Sequence, residues 1–318
     1  MAEYEKIVLV TRKTRLAELV ERLNTRAQAR FYLEHAGQDF EDYAREDDTY
    51  RRALDALHKQ LELGLPVQRV DRGLVPTFLF TGKEVVVTVG QDGLVANVAK
   101  YVGAQPLVGV NPDPERFDGV LLPFGVATAR GAVHQVLEAR ARFREVTLAE
   151  AELSDGQRLL GFNDLFLGAR THVSARYRLR HAERAEAQSS SGIIVSTGAG
   201  SSGWLSSVFT LAQGLTRATG GQPGETWRLD WGESRLAFVV REPFISRQSA
   251  ADVVAGFVSM EQELEVESRM PSGGVIFSDG VEEDFLAFNA GTTARVRPAA
   301  QRARLVAPEL YSRTPLGV

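Results

Sequence analysis

Between Lys6 and Val110, short β-branched runs alternate with amphipathic stretches, and this alternation limits the first third of the chain to a layered α/β arrangement. The runs are Ile7 to Val10, Val67 to Val70, Glu84 to Val89 and Pro106 to Val110. Between them lie segments such as Asp48 to Leu63, in which Tyr50, Leu54, Leu57 and Leu61 recur at helical spacing. Strands separated by helices predict a mainly parallel sheet. After a helix expected from Thr128 to Arg142, the texture changes. Strand-like pieces follow, divided by Gly, Ser, Asp and Pro turns: Gln157 to Phe162, Ala175 to His181, Gly192 to Val195, Ser234 to Val240, Leu264 to Ser268, Gly274 to Phe277 and Thr293 to Val296. This part is expected to be mostly β and sandwich-like. The polar stretch AERAEAQSSSG, from Ala182 to Gly192, is expected as a hairpin loop.

Composition narrows the functional classes. The 318 residues are 44% hydrophobic and 25% charged, enough apolar material for two domains. No run of about 18 apolar residues occurs, and MAEYEKIVLVTRKTR lacks the order of charge, apolar block and small residues of a signal peptide. The expectation is a cytoplasmic protein with no membrane partner. A formal charge of -4 leaves no basic footprint for nucleic acid. With zero cysteines, disulfides, thiol catalysis and Cys-ligated zinc are excluded, and His35, His58, His134, His172 and His181 show no metal-ligand spacing. No metal ligand is therefore assigned.

Three stretches carry chemistry. The first, VVVTVGQDGLVANVAKYV from Val85 to Val102, is a strand followed by a glycine-containing turn and a helical run. In an open parallel sheet, ligands sit beyond the carboxyl ends of strands, and a helix N-terminus there offers free N–H groups to phosphate. Asp92, between Gln91 and Gly93, is either a plain turn residue or a carboxylate that holds a cation or accepts a proton. The second stretch, SSSGIIVSTGAGSSGWLSSVF, again leads a strand through small residues into a helix, Trp204 to Leu215. The third, LGFNDLFLGARTHVSARYRL, sets Asn163 and Asp164 inside an apolar run, where an amide and a carboxylate need partners.

Together, in this order, the three stretches resemble the NAD kinase family, with its GGDGT loop, its Asn-Glu pair and its Gly-Ser-Thr loop. Similarity to the mitochondrial-type branch comes through LVGVNPDPERFDGVLLP, SSGIIVSTGAGSSGW and the REPF run at Arg241. The resemblance implies a Rossmann-like α/β domain over 1–125 and 297–318, to which the C-terminal segment returns. It also implies a mostly β, NAD-binding and oligomerising domain over 126–296, and a homodimer or higher homo-oligomer. ATP with Mg²⁺ is the implied phosphoryl donor, and the adenosine 2'-hydroxyl of NAD the acceptor, giving NADP. By resemblance Asp92 is the catalytic base, and Gly90 and Gly93 lie next to the phosphates. Asn163 and Asp164 bind the dinucleotide, and Thr197, Gly200, Ser201, Ser202, Trp204 and Ser207 form the loop around it. Trp204 either stacks on a ring of the ligand or anchors its helix in the core. Asp279-Gly280 falls where the family has a late Asp-Gly turn.

The chain departs from the family loop at two positions. Gln91 stands for the second glycine, adding bulk and removing easy access to positive φ, and Leu94 stands for the threonine, removing a hydroxyl. Three readings stay open: an ATP-dependent NAD kinase, a nucleotide-binding relative without kinase activity that acts as a sensor or scaffold, and a lipid-type kinase sharing the Gly-Asp-Gly loop.

Overall fold

A computed structural model of the chain describes residues 4–308; the expected return of 297–318 lies outside the described residues from 309 onward. By internal contacts the chain forms two compact units, Met1–Arg144 with Arg304–Val318, and Glu145–Ala303.

In the first unit, β1 (Lys6–Thr11) is followed by α1 (Arg15–Leu23), α2 (Arg26–His35) and α3 (Phe40–Gln60). Thr14, Thr25 and Asp39 cap the three helices by accepting first-turn N–H groups. Then come β2 (Val67–Asp71), β3 (Glu84–Val89), α4 (Asp92–Ala99), β4 (Pro106–Asn111), the short β5 (Phe124–Gly125) and α5 (Val126–Leu137). β3 and β4 are buried at every position, as continuous apolar strands in a parallel sheet require. The pairing runs β2-β1-β3-β4, all parallel, with Ile7 opposite Val67 and Val85, and Val87 opposite Val108. Tyr50 and Leu57 of α3 and Ala129 and Val133 of α5 close a core over Ile7, Leu9, Val87 and Val110. The chain leaves β1 for β2 in one direction and β3 for β4 in the other. The topological switch therefore lies between the carboxyl ends of β1 and β3, where such sheets bind ligands.

The second unit holds nearly all of β6 (Arg142–Leu153), then β7 (Arg158–Gly161), β8 (Asp164–Ala169), β9 (Ala175–His181), β10 (Arg184–Ser190) and β11 (Ile193–Ser196). A short 3₁₀ turn, Ala199–Ser202, leads into α6 (Trp204–Ala218). β12 (Leu236–Val240), β13 (Ala255–Val258), β14 (Leu264–Ser268), β15 (Gly274–Ser278), β16 (Val281–Ala287) and β17 (Thr293–Ala307) complete it. One set pairs as β10-β9-β14-β17, and a six-stranded antiparallel sheet runs β13-β12-β11-β8-β15-β16. Between them Tyr177, Leu179, Leu165, Ile193, Phe238 and Phe288 form one buried core, so this unit is a β-sandwich. The last residues of β17 belong to the first unit, where Arg304 and Leu305 pair in parallel with Pro106 and Leu107. Among the described residues no helix is long and apolar enough to cross a membrane.

Two local expectations are corrected. The helix expected to reach Arg142 ends at Leu137, and Ala139 turns the chain with φ 56. RFREVTLAEAEL is then a strand, despite its helix-forming residues, because Ala149, Ala151 and Leu153 alternate into the core and Ala149 pairs with Gly161. AERAEAQSSSG is likewise no loop. Ala182 (φ 53) and Glu183 make the hairpin turn, and Arg184–Ser190 pairs residue by residue with Ala175–His181.

Gly109 of β4 governs the approach of the segment after β4. A Cβ there would stand 2.1 Å from the carbonyl oxygen of Leu121 and 3.3 Å from Cα of Leu122. Gly109→Ala must displace backbone, and is expected to cost about 2–3 kcal/mol, the upper range of overpacking, measurable as a lowered midpoint in urea.

Candidate active site

In the first unit the candidate residues lie at the switch point. Gly90 directly follows β3, and its N–H donates to Val110 O at 3.2 Å. Gln91 is the N-cap of α4 without a side-chain cap bond, and its backbone is extended, with φ -115. The expectation that glutamine is hindered here by a need for positive φ is thus corrected. Any residue can adopt that conformation, so the change from glycine costs the backbone nothing. Asp92 begins the helix, a favourable place for a carboxylate beside the N-terminal end of the dipole. Its Oδ1 accepts the Leu121 N–H at 2.7 Å, which fixes the carboxylate and leaves Oδ2 for another partner. Gly93 is exposed, with nothing within 4 Å of a would-be Cβ, so the first turn of α4 is open to an incoming group. Leu94 points inward and is buried; its Cδ2 lies 3.0 Å from the place of a Gly90 Cβ.

Arg12, just past β1, was not singled out in the sequence. Its side chain runs beside Gly90, with Cδ and Nε at 3.4 and 3.5 Å from the would-be Cβ. The guanidinium is held by Glu46 Oε1 at 3.1 Å and Lys13 O at 3.1 Å, and lies over the Tyr50 ring. Burial pushes the Glu46 carboxyl up, but hydrogen bonds from Arg15 and Arg12 outweigh it and hold the group below its ordinary range. A cation after the first strand, opposite a glycine loop after the third, is the signal that marks Arg12.

In the second unit, the candidate residues gather at one end of the six-stranded sheet, where the start of β8 meets the end of β11 and Asp164 stands opposite Ser196. The turn Phe162–Asn163–Asp164 is held on both of its backbone edges. Thr197 is wholly buried; its Oγ1 donates to Phe162 O at 2.6 Å and its N–H to Asn163 O at 2.9 Å. On the amide edge, Asp279 accepts from Phe162 N–H at 3.0 Å, Asn163 N–H at 2.6 Å and Asp164 N–H at 3.3 Å. Gly200 is required for packing, since a Cβ would lie 2.0 Å from Asn163 O. The buried Ser201 hydroxyl donates to Gly198 O at 2.8 Å.

These bonds sort the predicted residues. Thr197, Gly200 and Ser201 build the frame, while Asn163, half-buried, makes no side-chain hydrogen bond among the described residues and can meet a ligand. Ser202 and Ser207 are exposed, with Ser207 Oγ turned to Gly203 O at 3.4 Å. Trp204 stacks on Phe166 at 5.7 Å and lies under the Arg241 guanidinium, so its ring anchors α6 on the sheet. Asp164 is 8% exposed; burial pushes its carboxyl up to about 7, and the nearby Asp279 charge adds to the push. Gly90, Asp92 and Gly93 belong to the first unit and the other candidates to the second.

No family model matches the chain, and no curated protein matches it. Solved structures do. An NAD kinase from Archaeoglobus fulgidus in complex with ATP is similar with a TM-score of 0.53 and 17% identity, covering 95% of this chain and 94% of that one. Yeast NADH kinase complexed with NADH is similar with a TM-score of 0.55 and 14% identity, over 96% of this chain and 84% of that one. The fold is that of the NAD kinases. A match over nearly the whole of both chains includes the α/β unit and the sandwich alike, although at these identities it establishes architecture and not activity.

The raised Asp164 gives a stability test with a definite sign. A carboxyl whose folded pKa is above its unfolded value destabilises the fold once ionised. The cost is absent below about pH 4, grows as pH rises and is complete above about pH 7. A shift of about three units corresponds to at most roughly 4 kcal/mol. Asp164→Asn is therefore expected to unfold at higher urea than wild type at about pH 8, with the gap closing towards about pH 4.

Proposed function

We propose that the protein is an NAD kinase-like phosphotransferase that moves the γ-phosphoryl of ATP, carried with Mg²⁺, to the adenosine 2'-hydroxyl of NAD or NADH. The observation that carries this reading is Asp92, a carboxylate at the end of β3 with one oxygen fixed by Leu121 N–H and the other unengaged by that bond. A hydroxyl brought to that oxygen loses its proton as it attacks phosphorus, and Asp92 accepts the proton. Beside it, the open first turn at Gly93 offers N–H groups to phosphate oxygens, and Arg12 adds positive charge at Gly90. Asn163 and Asp164 take the role of the dinucleotide-binding pair, with Ser202 and the 198–203 turn beside them. The likeness to kinases whose structures hold ATP and NADH supports the two substrate classes. The LVGVNPDPERFDGVLLP and REPF runs support the mitochondrial-type branch.

Among the described residues, no three His, Cys, Asp or Glu side chains cluster as a metal cage. Mg²⁺ would arrive on the ATP phosphates and keep most of its ligands from substrate and water, which needs no dedicated protein cage.

A second reading, a nucleotide-binding relative without turnover, is favoured by one observation. Leu94 fills the space against Gly90 with a methyl group where a hydroxyl would serve the phosphates. The lipid-type kinase reading has no comparable support.

Asp92→Asn keeps an oxygen for Leu121 N–H but cannot take a proton. NADP formation is expected to fall by roughly 100- to 10,000-fold with NAD affinity nearly unchanged. An active variant would remove Asp92 from the chemistry. Wild type tested with ATP against NAD, NADH, sphingoid base and diacylglycerol separates the kinases. A wild type inactive on all four that binds NAD by calorimetry, and gains turnover with Leu94→Thr, would establish the second reading.

A further inference from the structure

Asp279 lies 115 residues beyond Asp164 in sequence, yet three successive backbone N–H groups of the 162–164 turn point at its carboxylate. Asn163 N–H and Asp164 N–H share Oδ1, and Phe162 N–H takes Oδ2. The main chain closes the clasp from the other side, since Asp279 N–H donates to Asp164 O at 3.1 Å. Asp279 and Gly280 are the two residues that turn β15 into β16, with φ 54 and φ 70, the left-handed pair that such a hairpin turn uses. An asparagine could hold the same backbone angle as well or better. What it could not supply is a second acceptor oxygen and a full negative charge.

We infer that Asp279 is a positioning residue: its carboxylate fixes the turn that presents Asn163 and Asp164 to the dinucleotide, and its charge makes dinucleotide binding depend on pH through Asp164. This rests on the proposed function for the identity of the ligand, but the clasp itself does not. The groups around Asp164 are few. From the β15–β16 hairpin it faces Asp279. From β11 Ser196 stands opposite it, and the hydroxyls of Ser196, Thr197 and Ser201 are each turned to a backbone carbonyl. Among the described residues no cation pairs with Asp164, and Asp279 is the charge that acts on it. Burial and that charge oppose a second anion, so Asp164 is neutral in mildly acidic solution and ionised in mildly alkaline solution. Ribose hydroxyls are donors, and they bond an ionised carboxylate more strongly than a neutral carboxyl. Affinity for the dinucleotide therefore rises with pH through neutrality.

The test measures NAD binding by calorimetry from about pH 5.5 to about pH 8.5, with ATP binding as control, for wild type and Asp279→Asn. Wild type should gain affinity with a midpoint near neutral. Asp279→Asn should bind NAD at least about tenfold more weakly at the alkaline end, from loss of charge-assisted bonds, and shift its midpoint to lower pH. ATP affinity should change less than about twofold, since a merely destabilised protein would lose both ligands together. An Asp279→Asn protein with wild-type NAD affinity and midpoint overturns the inference. Two measurements on wild type do not depend on the variant folding. In ¹³C-aspartate-labelled protein the Asp164 carboxyl should titrate near neutral, and an ordinary value near 4 overturns the charge coupling. The amides of Phe162, Asn163 and Asp164 should exchange slowly with solvent, and fast exchange overturns the clasp. Wild type that binds no NAD at any pH removes the proposed function and the pH-dependent binding with it. The titration and exchange results then still decide whether Asp279 holds the turn.

Discussion

Phe162, Asn163 and Asp164 form a turn whose amide edge is taken by one carboxylate and whose first two carbonyls are taken by one threonine, and the arrangement of the candidate residues in the second unit depends on that double hold. Hydrogen bonds to a charged group contribute on the order of 1.5–3 kcal/mol each, and three backbone N–H groups meet this one carboxylate. The hold needs close approach as well as polarity. Gly200 and Gly198 let the 197–203 segment come against the carbonyls of Asn163 and Asp230, with would-be Cβ atoms 2.0 Å from each. Because Thr197 and Ser201 are spent on this frame, the groups left for a ligand are the Asn163 amide, the Asp164 carboxyl and the exposed start of α6.

The first unit solves a parallel problem with different parts. A helix N-terminus attracts anions, and Asp92 places a negative charge in that position. The carboxylate is kept there by the Leu121 N–H, and Leu121 reaches it because Gly109 has no side chain to block the crossing segment. Arg12 lies beside Gly90 from the neighbouring strand end and is itself steered by the buried Glu46. A carboxylate, a cation and a helix N-terminus thus stand together beyond the ends of β1 and β3. An open groove of about 710 Å³ lies between α3 and the segment after β4, lined by charges of both signs, including Arg45, Arg116, Asp113 and Glu115.

Much of the architecture was readable in the sequence. Continuous apolar runs marked β1, β3 and β4, because a strand buried on both faces has no polar position to interrupt it, while β2 at the sheet edge keeps polar residues and was marked by Val67 and Val70. Ala175–His181 and Leu264–Ser268 were readable from alternation and turns. Two local readings were overridden by tertiary pairing. The helix expected to run to Arg142 stops at Leu137, and the polar AERAEAQSSSG, expected as a loop, is mostly strand because a partner strand lies alongside. Gln91 looked strained only by comparison with glycine; its extended backbone removes the objection.

By itself, the sequence determined which segments could be buried, and it carried the residues Asp92, Asn163, Asp164 and the small-residue loop in a recognisable order, since residue type and local spacing are properties of neighbouring positions. Only the tertiary structure decided what those residues are bonded to. Asp279 meets the 162–164 turn across more than a hundred positions, Leu121 meets Asp92 across 29, and Arg12 meets Gly90 from another strand. Such contacts depend on strand order and register, which are settled by the summed burial of whole sheets, and no stretch of the chain read alone contains that sum.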